Sequence, residues 1–207
     1  MSHTFDESVS WVGYGTDLVR EAVADLDEVA MDAPTSLNGW NRRHILAHLA
    51  ANADAVGNLV HWAATGEPTP MYSSPQQRTA DIAAGSARTG AELRAWFDDS
   101  ANRLLDAMAA LDTAEWQAEV VTAQGRTVPV SETSWMRARE LMVHAVDLDT
   151  GTTFADLPTR FLKALCSDVV VKRGQVPYVE GALDERVAWL TGRPHTLTGA
   201  PDLGAWL

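Results

Sequence analysis

The chain has 207 residues, 46% of them hydrophobic, which is enough for one cored domain with a small appendage. A net charge of −12 argues against a surface that tracks phosphates, so nucleic acid is not an expected partner, and an anionic ligand would need local arginines. The single cysteine, Cys166, excludes an internal disulfide framework; with a polar, acidic N-terminal MSHTFDES and no apolar run of membrane-spanning length, a cytoplasmic protein with no membrane partner is expected.

Taken in chain order, Val9, Val12, Val19, Val23 and Leu26 form one stripe and predict a helix over residues 5–31, ended by Asp32-Ala33-Pro34. Asn38-Gly39 marks a turn, and a second helix is expected from about Trp40 to Ala64, closed by Thr65-Gly66. Residues Glu67 to Pro75 hold three prolines and read as a loop. A third helix, Thr89 to Leu111, carries the stripe Leu93, Phe97, Ala101, Leu104, Met108 and Leu111. Val120-Val121 and Val128 flank Gln124-Gly125, a β-hairpin pattern. Ser131 as N-cap and Glu132 in the first turn open a fourth helix that runs to about Leu148. Phe161–Val171 and Leu183–Leu190 predict two shorter helices, and the last dozen residues read as coil or a short strand. The expected fold is mainly α: a four-helix bundle over residues 1–154 and a small C-terminal segment over 155–207.

Two pairs spaced i, i+4 carry the chemistry, His44/His48 and Glu140/His144. Residues four apart share a helix face, so two helices side by side could aim His48, Glu140 and His144 at one point. Two imidazoles and a carboxylate suit a divalent metal with an open coordination position. Each pair alone has a plainer explanation, a satisfied core histidine or a surface Glu–His pair. Together they favour a metal, because His48 in ILAHLAA and His144 in LMVHAVDL occupy strongly apolar settings, where an ionisable group needs a partner. The chain has no His-Glu-x-x-His, and its spacing is not the i, i+3 of the di-iron bundles. Arg137 and Asp147 fall on the same face as Glu140 and His144. Asp147 could fix the tautomer of a ligand imidazole, and Arg137 could pair with Glu140 or bind an anion.

The strings NGWNRRHILAHLAANA, HWAATGEPTPMY, TAQGRTVPVSETSWMRARE and HAVDL resemble the mycothiol-dependent maleylpyruvate isomerases, within the wider DinB-like group of metal-binding four-helix bundles. The resemblance covers most of residues 5–155. It implies a DinB-like bundle whose C-terminal α or α+β portion is shortened between Val171 and Leu183. It implies metal ligands at His48, Glu140 and His144, with His44 a neighbour, and zinc as the default metal. Gly192-Arg193, after VAWLT, is similar to the family's short Gly-Arg motif, which implies a functional Arg193 in catalysis and thiol binding. Maleylpyruvate would become fumarylpyruvate, a step of gentisate-type aromatic catabolism, through addition and elimination of the thiol cosubstrate mycothiol. Arg193, with Arg126 in the hairpin as a second candidate, would clamp the substrate's carboxylates; the plainer account of Arg126 is an exposed hairpin charge. Cys166, in KALCSDVV, reads as a small core residue. Two rivals remain: a thiol S-transferase with the same ligands, and a non-catalytic metal-binding bundle, which would need a fourth ligand such as His61 or His195.

Overall fold

Polar caps mark most of the helix starts in the computed structural model, which describes residues 3–206. Thr4 caps α1 (Phe5–Val23), Asp27 caps α2 (Glu28–Met31), and Asn41 caps α3 (Arg42–Thr65), which ends at Gly66 in the left-handed conformation. Ser74 caps α4 (Pro75–Ser86) and Thr89 caps α5 (Gly90–Ala110). The antiparallel strands β1 (Glu119–Val121) and β2 (Thr127–Pro129) pair Val120 with Val128. They lead into α6 (Glu132–Asp147), and α7 (Thr159–Arg173) and α8 (Leu183–Leu190) follow. No described helix is long and apolar enough to cross a membrane.

The bundle consists of α1, α3, α5 and α6. α3 lies against α5, α4 and α6, while α1 lies against α6 and α5. Ile45, Leu46 and Leu49 of α3 bury themselves with Leu93 and Phe97 of α5 and Leu141 and Met142 of α6. Each such side chain contributes roughly 1.5–3 kcal/mol on leaving water. The same cluster continues into the C-terminal segment through Phe161, Leu165, Val169, Val187 and Leu190. Residues 174–182 run without regular structure between α7 and α8.

The structure corrects the sequence reading at three places. The helix expected over 5–31 is two helices, because the Asp27 side chain takes the Ala30 amide at 2.8 Å and starts a new one. The segment expected to be loop up to Pro75 leads directly into α4, which the periodicity did not reveal. Pro75 stands at the first helical position, where its missing N–H costs nothing, and α4 buries only Ile82 and Gly85, too little for an apolar stripe. Ser131 occupies the cap position of α6, but its hydroxyl makes no cap bond.

Candidate metal centre

His48 sits nearly two turns into α3, on the side facing α6, where Glu140 and His144 lie one turn apart. Nε2 of His48 lies 2.8 Å from Oε2 of Glu140, and Nε2 of His144 lies 3.4 Å from the same oxygen. One donor atom from each of the three falls within 4.8 Å of the others. A tetrahedral ion with bonds of about 2.0–2.1 Å would hold its ligand atoms about 3.3 Å apart. The donor set therefore fits a small divalent metal without rearrangement of either helix. Among the described residues no fourth His, Cys, Asp or Glu joins the cluster. His61 is exposed near the end of α3, and Nδ1 of His195 accepts from the Leu197 amide. His44 is used locally: its amide donates to the Asn41 side chain at 3.1 Å and its ring returns to Asn41, closing the cap of α3.

A second layer holds the histidines. Nδ1 of His144 lies 2.8 Å from Oδ2 of buried Asp147. Arg193 donates to both oxygens of that carboxylate, Nε to Oδ1 at 3.0 Å and Nη2 to Oδ2 at 2.7 Å. The Trp40 ring lies against both His48 and His144. Burial alone would raise the Glu140 carboxyl, but hydrogen bonds from His144 and His48 hold it well below the ordinary range. Burial opposes charge on His144 too, yet Asp147 and Glu140 lift its pKa above the usual value. For His48 burial wins, and its pKa is lowered despite Glu140.

The trio forms the floor of a cavity of about 890 Å³. Trp40, Tyr72, Met136 and Trp206 supply its apolar walls, and Arg78, Arg126, Arg139 and Lys172 its charges. That size suits one or two small organic molecules.

Residues 13–149 match the mycothiol maleylpyruvate isomerase N-terminal domain. The chain belongs to the mycothiol maleylpyruvate isomerase family. It is also similar, at 34% identity and a TM-score of 0.91, to the crystal structure of the mycothiol-dependent maleylpyruvate isomerase, over 99% of this chain and 98% of that one. The structure of a histidine-to-alanine mutant of that enzyme matches with the same values. The match thus runs through the C-terminal segment as well as the bundle. No curated protein matches significantly.

Within this family fold the remaining expected site residues separate. Arg126 is exposed on the hairpin turn and borders the cavity. Arg193 is buried and does not line the cavity; besides Asp147 it holds the carbonyls of Thr191 (2.6 Å) and Trp206 (2.5 Å). Arg137 is wholly buried and makes no ion pair with Glu140. Its Nη1 donates to the Leu49 carbonyl and to Oδ1 of Asn52, while Nε and Nη2 have no partner, and burial lowers its pKa to about 10. Cys166 is half-buried away from the cavity lining, and burial pushes its thiol up. Sequence reasoning missed Tyr72, Arg78, Arg139, Lys172 and Trp206. Tyr72 lies in the HWAATGEPTPMY string, and Pro75 as a helix opener was the available signal for the element that carries Arg78.

Proposed function

We propose that this protein is a metal- and mycothiol-dependent cis–trans isomerase that converts maleylpyruvate to fumarylpyruvate. The observation that carries the reading is the convergence of His48, Glu140 and His144 on the floor of a ligand-sized cavity, in a chain of this family. A divalent metal, zinc by default, would supply Lewis acidity there and lower the pKa of a coordinated thiol. His48, Glu140 and His144 would hold that metal. Glu140 stays ionised because two imidazoles bond it. Asp147 keeps the second nitrogen of His144 engaged, so that Nε2 faces the cavity floor. Arg193 acts through Asp147, fixing its carboxylate from both sides, and we assign it a positioning role. Trp40, Met136 and Trp206 exclude water around the reacting atoms.

The thiolate adds to the carbon–carbon double bond, whose electrons move into the conjugated carbonyl. The remaining single bond rotates, and expulsion of the thiolate restores the double bond in the trans form. No proton or electron is consumed overall. Cys166 supplies no nucleophile, since it is not among the residues that line the cavity and burial raises its pKa. A cosubstrate thiol and an unpaired cysteine both suit the reducing cytoplasm, where we place the protein.

The test combines purified protein, maleylpyruvate and mycothiol, with and without a chelator. The expected result is an ultraviolet change at constant product mass that needs both thiol and metal. A stable thiol adduct would make the protein an S-transferase, and undiminished turnover after complete metal removal would overturn the scheme.

A further inference from the structure

Four cations border the cavity, and their partners differ. Arg139 and Lys172 share Asp168, at 2.7 and 2.9 Å, so each already has an acid beside it. Arg126 projects from an exposed hairpin turn. Arg78, half-buried on α4, has no carboxylate among its contacts in the described residues. Its Nη2 lies 3.4 Å from Nδ1 of His48, and its guanidinium stands 5.9 Å from the centre of the Tyr72 ring. In a chain of net charge −12, a partly desolvated guanidinium without an acid beside it is a place kept for an anion.

The contact with His48 does not fill that place. An arginine only donates, so Nδ1 could accept from it only while carrying no proton. A neutral imidazole that offers Nε2 to a metal carries its proton on Nδ1 and needs an acceptor there, as Asp147 provides for His144. Two donors would then face each other at His48. Arg78 is therefore not the orienting partner of a ligating His48, and its N–H groups remain available to the cavity.

The neighbouring groups favour an oxyanion. Oδ1 of Asn52 is taken by Arg137 at 2.8 Å, and Asn52 lines the cavity, which leaves its amide N–H groups as the donors it can offer there. Tyr72, Asn52 and Arg78 all line the cavity beside His48. They form a cluster rich in donors that brings no carboxylate to the guanidinium.

We propose that Arg78, supported by Tyr72 and Asn52, binds one carboxylate of a dianionic substrate and makes the site selective for diacids. This rests on the isomerase reading and names a residue that selects its substrate. The bond is charge-assisted and partly buried, so losing it should weaken binding about 10- to 100-fold.

The test uses zinc-loaded protein and calorimetric titration with succinylpyruvate, which keeps both carboxylates of maleylpyruvate but has no double bond for a thiol to attack, and with its two monomethyl esters. Wild type should bind the diacid more tightly than at least one ester. Arg78→Met should lose that discrimination together with the 10- to 100-fold in diacid affinity, while Arg78→Lys keeps part of both. Lys172→Met, which removes the same charge from the cavity but from an existing ion pair, should lose only a small part of this. Equal diacid affinity in wild type and Arg78→Met overturns the proposal, as does an equal loss in Arg78→Met and Lys172→Met, which would mean a general field. Loss of bound zinc in Arg78→Met would overturn it by making Arg78 a support of His48. If wild type turns over maleylpyruvate while Arg78→Met still discriminates diacid from ester, this inference fails and the isomerase reading stands. If wild type neither binds the diacid nor turns over maleylpyruvate, both fall.

Discussion

His48 and His144 are both buried imidazoles a few ångströms from one carboxylate, yet burial lowers the pKa of one while Asp147 and Glu140 raise the other. Metal needs both rings neutral, so binding must displace a proton from His144 at low pH. Zinc affinity, measured by competition with a chromophoric chelator, should fall as pH drops through the raised pKa of His144. Asp147→Asn removes the bond that raises it and should shift this fall to lower pH, while weakening affinity about 10- to 100-fold. Replacing His48 or His144 by alanine should abolish stoichiometric zinc and thiol-dependent turnover together, with the helical circular dichroism retained. Asp147 also has a stability consequence. Burial would raise its pKa, but His144 and Arg193 depress it below the usual carboxylate range. The stability it contributes is therefore present above its unfolded pKa and lost as pH falls through the folded one. Acid unfolding of metal-free protein should be less pH-dependent in Asp147→Asn.

Among the elements, α4 shows how a helix can be set by packing. It presents Gly85 to α3 and α5, where an added Cβ would lie 2.6 Å from the Trp96 ring and 2.9 Å from Cβ of Ala47. Gly85→Ala should destabilise the protein by about 1–3 kcal/mol through overpacking, read as a lower urea midpoint. Because α4 carries Arg78, the same substitution should weaken diacid binding without removing zinc. The stripes of α1 and α5 were legible because each buries a face wide enough to repeat every three or four residues. α4 buries little and offers no such repeat. The break after Val23 was equally hidden, since Leu26 continues the stripe while Asp27 interrupts the backbone.

Across the whole molecule, the C-terminal tail closes the cavity and is strapped down by two arginines. Arg173 holds the carbonyls of Leu203 and Gly204, and Arg193 holds that of Trp206 while gripping Asp147. The two variants should separate these jobs. Arg173→Ala should expose the tail to limited proteolysis and leave zinc affinity unchanged. Arg193→Ala should expose the tail and also weaken zinc binding, and should cost on the order of 3 kcal/mol by leaving the buried Asp147 carboxylate short of its cation. The pairing of His48 with Glu140 and His144 could be read from the chain because it needs only helical spacing and the adjacency of two apolar stripes. The same local rules gave the bundle helices, the hairpin and both C-terminal helices. They could not tell where long, flexible side chains end. Arg193 was expected in the pocket and lies behind it, because Asp147 and the tail carbonyls come to it only when segments far apart in the chain pack together. Arg78 drew no notice in the sequence and borders the cavity floor for the same reason. An arginine's partner is settled by which distant acceptor the tertiary fold brings within reach, and spacing along a single helix carries no record of that.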